Sequence, residues 1–505
     1  MQVNLSVHER KSTRIFRSFL ILALGLCSCG CVKSTRTCIH SSLATPLLEE
    51  SVDVEPVRDV LSNCVQLEVI REITDSKQVV TTSAEEEELA TDQPAAPSKL
   101  AAFKNGITAT QSTQELCLED LEQIALTNNP TLQQSEAVVQ QARGRRVHAG
   151  RIPNPVIGYV GGEIGAEGTA GQQGGFISQE IVTANKLRLN RDVVDQEIDQ
   201  ALWELQAQRL RILNDIRALY YDVISAQEAV ELAKQLQRIA QQGVTVVQDL
   251  LKLKQRSLPD VRQAEIELNE VGILLDTSQN RYAAAWRRLT SVLGQADMQP
   301  IPLQGHLDEK RAKLIWEETL ECLLTESPEL QAAQSNVRRA ASQLRRECVD
   351  PIPNLNLQVG VQQDHGTQDT IANVQLAMVL PVFYRNKGAI DAAWADLRRA
   401  QQEVFRLELV LRNRLATSFL RYENAHKRIH RYREKILPKS QENLDLTTEG
   451  YQKFSEFSFI QVLTARRTYF QTHLKYIQSL TELRKAESEI AGLLLTGALE
   501  NVPLR

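Results

Sequence analysis

The sequence predicts a mainly α-helical protein with a small β part, built from two copies of one structural unit. Ala, Leu, Gln, Glu and Arg dominate its 505 residues, whereas Gly (23), Pro (16) and aromatic residues (5%) are few, which is typical of long helices. The second observation is an internal repeat with an offset near 200 residues, and the third is a pair of places where a strand pattern changes into a long-helix pattern. The net charge of -5 gives no general argument for nucleic-acid binding.

Residues 1–29 have the pattern of an export signal. Basic residues precede an apolar run over 19–26 that is too short to span a bilayer as a stable helix, and Cys-Ser-Cys-Gly-Cys follows. The stretch Leu26–Cys29 resembles the bacterial lipobox, in which a cysteine after a small residue is diacylated and becomes the mature N-terminus. The resemblance implies a lipid anchor on Cys29, with Cys31 as the second candidate. The alternative is an ordinary signal with incidental cysteines.

The chain after the signal divides into a linker, two repeated units and a tail. Residues 30–110 are predicted to be a low-complexity linker whose acidic run, Glu85–Glu88, is solvated. The first unit covers 111–300, the second 301–497, and 498–505 form the C-terminal tail.

The repeat is clearest where Leu116–Pro155 returns as Leu314–Asn354. Each copy predicts a short helix that ends before a proline, because the residue preceding proline disfavours helical backbone, and then a longer helix. The predicted bounds are 118–128 and 131–150 in the first unit, and 316–326 and 329–349 in the second.

A Pro-Asn turn then opens a pair of strands in each unit. The predicted strands are about 156–162, 175–181, 354–361 and 371–380. The last is the clearest, because Val374, Leu376 and Met378 alternate with more polar residues. Pro381 ends it, since proline has no N–H to donate to a ladder.

Very long helices follow the strands. In the first unit a helix from about Leu189 to Gln255 would be on the order of 100 Å long. Its apolar seam has coiled-coil spacing and includes Leu202, Ile212 and Val223. The second unit has a similar seam. The predicted breaks are at 256–260 and 454–458, and the predicted returning helices are 260–293 and 459–495.

Four strands cannot close a barrel, and an open sheet would expose two edges. In a bilayer every backbone polar group must be paired within the protein. An export signal combined with too few strands therefore indicates that several chains pool their strands into one transmembrane barrel. The alternative is a small water-soluble sheet that caps a helical bundle.

This layout resembles the TolC family of bacterial outer-membrane efflux channels over roughly 116–495. The similarity lies in the joint order of segments without catalytic meaning, namely Ala125–Pro130, Ile152–Pro155, Leu380–Ile390 and Tyr451–Arg466. It implies a homotrimer in the outer membrane, with duplicated long-helix hairpins forming an α-barrel tunnel through the periplasm and four strands per chain contributing to a 12-stranded transmembrane β-barrel. The form LP-x-F-x-RNKG is most similar to the heavy-metal efflux outer-membrane components.

The resemblance implies passive conduction. The expected role is the outer-membrane duct of a tripartite efflux system, which carries metal ions or small toxic compounds from an inner-membrane pump and a periplasmic adaptor to the exterior. Two alternatives stay open: a type I protein-secretion channel of the same fold, and a periplasmic coiled-coil scaffold lipoprotein without a pore. We expect no enzyme activity and no cofactor, and we interpret His426 and His430 as a solvated helix face rather than metal ligands.

The resemblance also assigns candidate site residues. At the periplasmic tip, the candidates for adaptor docking and for a closed constriction are Ser257, Leu258, Pro259, Asp260, Glu456, Phe457 and Ser458. Asp260 and Glu456, repeated by threefold symmetry, would form acidic rings that favour cations. Helix capping by Ser257, Asp260 and Ser458 is the simpler interpretation. The residues of the barrel-to-tunnel junction are Pro381, Arg385, Asn386, Lys387 and Gly388.

Two segments depart from the family pattern. Phe454 and Ser455 occupy the place of a usual glycine at the second helix break. The first junction, Gln179–Leu187, lacks the family's proline and glycine. We therefore expect the family fold, with the local turn geometry at these two places left undecided.

Overall fold

The computed structural model describes residues 116–168, 170–309, 311–451 and 458–500. Over these ranges the chain is mainly helical with one four-stranded sheet, which confirms the predicted fold class. The predicted signal and linker (1–110), with Cys29 and Cys31, lie outside the described residues, as do Glu456 and Phe457. No helix within the described ranges has the length and apolar content that crossing a membrane would require.

The two units have the same order of elements. The first contains α1 (Leu118–Asn128), α2 (Pro130–Ala149), β1 (Val156–Gly162), β2 (Gln172–Ile181), α3 (Lys186–Lys252) and α4 (Leu258–Leu293). The second contains α5 (Trp316–Glu326), α6 (Pro328–Val349), β3 (Leu355–Asp364), β4 (Thr370–Met378), α7 (Lys387–Arg431), α8 (Leu437–Glu449) and α9 (Phe459–Ala491).

Most predicted bounds agree with these elements to within a few residues. The short helices α1 and α5 have the predicted ends. The strand β2 begins at Gln172 rather than at 175, and β4 ends at Met378 rather than at 380. The helix α3 is shifted toward the N-terminus by three residues, to Lys186–Lys252.

A buried polar residue joins the first two helices of each unit. Asn129 and Ser327 have extended backbone, and a proline begins the next helix in both cases. Asn129 accepts a hydrogen bond from the Thr131 N–H (2.9 Å), and its amide donates to the Val292 carbonyl (2.7 Å). The first of these bonds caps α2, and the second fixes the start of the unit to the end of α4.

The sheet is antiparallel, with strand order β1-β2-β3-β4. Ile157 lies opposite Ile177, which lies opposite Val359 and then Val374. Side chains alternate between faces, so this register gathers Ile, Leu, Val, Tyr and Met on one face. That face is exposed, with Ile157 80% and Val374 72% accessible. The other face carries mainly polar side chains, among them Ser178, Glu180, Asn356, Gln358, Gln362, Asn373 and Gln375.

The polar face is the more covered of the two, as expected for the inner side of a curved sheet. Ser178 and Gly360 are buried there, whereas their neighbours on the apolar face are more exposed. Gly158 lies opposite Phe176 on this side, and a Cβ atom at Gly158 would overlap the Phe176 ring. Glycine at 158 therefore leaves room for an aromatic ring on the inner face.

The 67-residue helix α3 is about 100 Å long at ~1.5 Å per residue. The predicted seam is confirmed at Ile212, Ile216 and Val223, which are buried. It is wrong at Leu202, which is 36% exposed. This end of α3 packs against α2 and α6, and the contact buries small and polar side chains, namely Gln200, Ala201, Ala207 and Gln208.

The second long helix contains a feature that its apolar spacing did not predict. A π-helical turn over Tyr432–Ile436 joins α7 to α8, and Pro438 follows in the first turn of α8. Proline lacks an N–H and crowds the preceding turn, so the helix widens there instead of continuing with regular bonds.

The segment between the units packs across the long helices through the buried Arg484 side chain. Arg484 is 1% exposed. Its guanidinium donates to the Leu307 carbonyl (2.9 Å), to Glu487 Oε2 (2.7 Å) and to the Glu309 carbonyl. Nearby, Arg433 pairs with Asp308. The inter-unit segment is thus held by charged hydrogen bonds to both α9 and the π turn.

We predict that Arg484→Met lowers the free energy of unfolding by about 3–5 kcal/mol, because Glu487 would stay buried without its cation. The matched control is Arg414→Met. Arg414 is about half exposed, and its partner Glu329 keeps Arg211 at 2.8 Å, so we expect a change within about 0.5 kcal/mol. Denaturant unfolding of the detergent-solubilised protein measures both, and equal losses for the two variants would contradict the assignment.

Candidate functional site

The break between α3 and α4 begins one candidate site, which we call the tip: residues 244–268 together with 451 and 458–466. After α3 ends, Lys254 has a left-handed backbone (φ 59°) that reverses the chain. Ser257 is then the N-cap of α4, with Pro259 in the first turn. Leu258 is 56% exposed, and Pro259 is also exposed, so the surface of this turn is open in the described chain.

Ser257 and Asp260 form a capping box. The Asp260 carboxylate accepts hydrogen bonds from the Ser257 N–H (3.0 Å) and the Ser257 hydroxyl (2.8 Å). The first lowers the pKa of Asp260 most, the hydroxyl adds to the effect, and the positive charge of Arg256 lowers the pKa further. Asp260 is therefore ionised at neutral pH, and its carboxylate also holds the helix start.

The start of α9 repeats this arrangement with a neutral partner. Gln461 Oε1 accepts from the Ser458 N–H (2.8 Å), and the Ser458 side chain caps the Gln461 N–H. The predicted capping interpretation is therefore confirmed for Ser257, Asp260 and Ser458. Whether these residues also contact a partner or narrow a pore stays a prediction.

An apolar cluster unites the two halves of the tip. Its buried members come from α3, α4, the end of the second long helix and α9, and are Val244, Val247, Val261, Ala264, Tyr451, Phe459, Val462 and Leu463. The Tyr451 and Phe459 rings pack with their centroids 5.7 Å apart. This contact joins the end of the second long helix to the start of α9, and the cluster as a whole packs both against α3 and α4.

Tyr451 also receives a cation from the first break. The Arg256 guanidinium carbon lies 4.3 Å from the centre of its ring, a cation–π distance. The Tyr451 hydroxyl is buried without a hydrogen-bond partner among the described residues, and burial raises its pKa. Tyr451 lies in a segment that resembles the family, but its pairing with Arg256 could not be predicted, because sequence spacing does not bring these two residues together.

Farther along the hairpins, Arg466 and Glu267 share a half-buried position. Burial lowers the pKa of Arg466 and raises the pKa of Glu267, since each charge is partly removed from water. Arg467 lies 3.6 Å from Glu267 and also pairs with Glu270. These charges connect α4 to α9 at the edge of the tip that is farthest from the helix breaks.

The second candidate site is the pair of junctions where a strand leads into a long helix. Asn185 and Asn386 are the N-caps of α3 and α7, and both have left-handed backbone (φ 56°, ψ 24°; φ 56°, ψ 18°). Asparagine tolerates this conformation better than most residues. Both junctions therefore place a left-handed asparagine directly before the long helix, although Ala184 is also left-handed at the first junction (φ 56°).

The first junction is clamped to the second unit by Lys186. The Lys186 ammonium is buried (6% exposed) and donates to the Ile352 carbonyl (2.5 Å) and to Asn354 Oδ1 (3.2 Å). The Asn354 amide in turn donates to Glu180 (2.7 Å), and the Thr183 hydroxyl donates to the Pro353 carbonyl (2.6 Å). Sequence reasoning missed this clamp, although the Asn-Lys dipeptide that occurs at both junctions was a signal for it.

The second junction contacts α6. The amide of Asn386, 3% exposed, donates to the Glu347 side chain (2.7 Å) and the Glu347 backbone carbonyl (3.1 Å). The other predicted junction residues lie around it: Arg385, Lys387 and Gly388 are exposed and Pro381 is partly covered. The structure thus gives Asn386 a structural role, whereas Lys387 is exposed and has no hydrogen-bond partner among the described residues.

The described residues contain no group of three or more His, Cys, Asp or Glu side chains that could hold a metal ion. His430 lies 3.1 Å from Glu434, one turn along its helix, and His426 packs against the Tyr422 ring. What the two sites offer chemically is charge, hydrogen bonding and apolar surface at the ends of long helices.

A family model described as "Outer membrane efflux protein" matches this chain twice, over residues 121–295 and 319–494. The cobalt-zinc-cadmium resistance protein CzcC of Cupriavidus metallidurans is 24% identical over 379 residues, which are 75% of this chain and 90% of CzcC.

Solved structures share the fold. CusC superposes with a TM-score of 0.63 at 17% identity, over 75% of this chain and 92% of CusC. The outer membrane protein VceC of Vibrio cholerae superposes with a TM-score of 0.61 at 17% identity, over 75% of this chain and 96% of VceC.

Two substitutions at Asp260 separate the contribution of its capping hydrogen bonds from the contribution of its negative charge. Asp260→Ala should destabilise the first turn of α4 by about 1 kcal/mol, whereas Asp260→Asn keeps an acceptor oxygen and should cost less. The readout is tryptic cleavage after Arg256 and Arg262, which a frayed turn exposes. Because the folded pKa lies below the unfolded value, the capping contribution is complete above about pH 4 and is lost as the pH falls through the folded pKa. Equal cleavage of both variants would contradict the capping assignment.

Proposed function

The chain belongs to the outer membrane efflux protein family, and from this premise we propose that it works as a homotrimeric outer-membrane duct of a tripartite efflux system. Substrates would enter the helical tunnel from an inner-membrane pump and a periplasmic adaptor, and leave through the barrel. In this proposal residues 111–300 and 301–497 are the two structural units, and the 1–29 signal directs export, with a lipid on Cys29 or Cys31.

The observation that carries the proposal is the sheet with one apolar and one polar face, whose outer strands have unpaired edges within the described residues. Three copies would pool 12 strands, and closing the ring would pair the free edges of β1 and β4. The apolar face, with Ile157 and Val374 exposed, would then meet lipid. The polar face, with Asn356 and Gln375, would line an aqueous channel.

Aromatic and basic side chains that follow β4 support a membrane boundary at this end of the strand. Phe383 and Tyr384 follow β4 and are 99% and 75% exposed. Aromatic side chains are enriched where a barrel crosses the lipid headgroups. Arg385 comes next along the chain, where a cationic side chain can reach lipid phosphates.

We assign adaptor docking and the closed constriction to the tip. The candidates remain Ser257, Leu258, Pro259, Asp260, Glu456, Phe457 and Ser458. Leu258 and Ile460 are exposed on the two breaks (56% and 65%), which provides apolar surface for a partner helix. The Asp260 carboxylate caps α4 without losing its charge, so a threefold ring of Asp260 would present three negative charges.

We propose divalent metal ions as the cargo. The relative CzcC is named for cobalt, zinc and cadmium resistance, and it aligns with 75% of this chain. A passive duct needs no metal ligands of its own, since a pump would select the cargo. Acidic rings at the entrance would raise the local cation concentration.

Deletion of the chromosomal copy tests this cargo. We expect greater sensitivity to cobalt, zinc and cadmium, restored by the wild-type chain and by the control variant Arg414→Met. Unchanged metal tolerance with greater sensitivity to organic toxicants would overturn the metal assignment but keep the duct. Loss of a secreted protein without any change in toxicity would favour a type I secretion channel.

Neutralising the acidic candidates tests the constriction. The combined substitutions Asp260→Asn and Glu456→Gln, which keep hydrogen-bonding groups, should lower the cation-to-anion permeability ratio toward one in planar bilayers under a salt gradient. The control is Asp249→Asn, which removes an acid that is already paired with Lys252 at 2.7 Å. An unchanged ratio in the double variant, or an equal fall in the control, would contradict the ring.

A further inference from the structure

The clamp around Lys186 is complete within one chain. Lys186 is the first residue of α3, and its ammonium reaches the turn that follows α6, where Ile352 and Asn354 supply two oxygens. The end of a helix carries a partial negative charge, which favours a cation just beyond α6. A buried lysine without acceptors would be costly, so these two oxygens define a site for one ammonium group.

A second ammonium group lies at the equivalent position in the other unit but has no such acceptors among the residues that the structure describes. Lys387 is the first residue of α7, as Lys186 is of α3, and both follow an asparagine with nearly the same left-handed backbone. The two lysines therefore occupy the same position at the start of their helices. Lys186 is buried, whereas Lys387 is exposed.

A second acceptor turn is also present. Its Ile152 carbonyl and Asn154 side chain have no hydrogen-bond donor among the described residues, whereas the Pro153 carbonyl between them accepts from Gln179 Nε2 (2.9 Å). Ile152–Asn154 follows α2 as Ile352–Asn354 follows α6, with the same Ile-Pro-Asn sequence. Ile152 is 68% exposed and Asn154 is exposed. The chain thus contains one complete clamp and two separate halves of another.

The strand order explains why the halves do not meet. The complete clamp lies between the end of β2 and the start of β3, which are neighbours in the sheet. Lys387 lies beyond the end of β4 and the Ile152–Asn154 turn precedes β1, and these strands are the two outer edges. The halves would come together only where β4 of one copy pairs with β1 of the next.

We propose that Lys387 of one copy binds the next copy of the chain, donating to the Ile152 carbonyl and to Asn154 Oδ1 as Lys186 does to Ile352 and Asn354. This inference rests on the proposed homotrimer and adds the residues that join its copies at the membrane boundary. The interface repeats a contact that already exists inside the chain. A trimer would therefore contain six equivalent clamps, two per copy, around the junction between the barrel and the helical tunnel.

A coupling experiment tests the pair. The experiment compares the temperature at which the trimer dissociates in SDS for three variants, namely Lys387→Met, Asn154→Ala and the double variant. Each single substitution should lower this dissociation temperature. The double variant should dissociate at about the same temperature as the less stable single variant, because both substitutions remove the same contact. Additive shifts would overturn the proposal. If Lys387 instead binds lipid phosphate, Lys387→Met will lower the temperature while Asn154→Ala leaves it unchanged, and that also overturns it.

Cross-linking tests the geometry independently of stability. The substitutions K387C and N154C are placed on two separate chains. In both chains the native cysteines downstream of the signal are replaced by serine. The chains are co-expressed and treated with a short bismaleimide. We expect cross-linked dimers from the mixture and none from either chain alone. A chain that carries both substitutions should give trimers.

An intact trimer without cross-links would reject the clamp and leave the proposed function standing. Absence of trimers from the wild-type chain would reject the proposed function together with this inference. If the Lys387→Met variant does not assemble, Lys387→Gln replaces it in the coupling experiment, because glutamine is polar but lacks the positive charge.

Discussion

The pairing of backbone groups at the edges of the sheet is the constraint on which the rest of the structure depends. The sheet has one apolar face and four strands, and its outer strands β1 and β4 have unpaired edges within the described chain. An apolar face of this kind needs lipid or protein against it, and free edges need strands to pair with. Association with further copies in a membrane would cover the apolar face with lipid and would pair the free edges. The duplicated sequence provides each copy with two equivalent hairpins, so a ring of copies also places a ring of long helices on one side of the sheet.

In the proposed assembly, the junctions and the tip would extend this ring into a continuous duct. They use similar local chemistry in both units. A left-handed asparagine turns each strand hairpin into a helix at Asn185 and Asn386. Capping boxes begin the returning helices at Ser257 and Ser458. Because the caps use short polar side chains, they fix the helix starts without filling the space around them. Charge at the tip therefore remains exposed to solvent, where it can act on ions or on a partner protein.

Much of this fold could be predicted from sequence, since long regular patterns determine it. The strands, the short helices before Pro130 and Pro328, and the long seam at Ile212 to Val223 all follow from local periodicity. What could not be predicted are contacts between residues far apart in the chain: Arg484 on the inter-unit segment, Arg256 on Tyr451, and Lys186 on Asn354. Leu202 was misjudged because α3 packs there through small and polar residues, and the π turn depends on Pro438 within an otherwise regular seam. At the tip, sequence identified the capping residues, but the tertiary cluster around Tyr451 required the structure.

The proposed function depends on assembly, because the four strands described in one copy form an open sheet. The number of copies in the membrane-extracted complex is accordingly the most direct test of the central claim. Native mass spectrometry of the mature protein, purified in detergent without cross-linker, measures that number. The account predicts a complex of three chains, which corresponds to 12 pooled strands. A monodisperse single chain, or a dimer with eight strands, would contradict it.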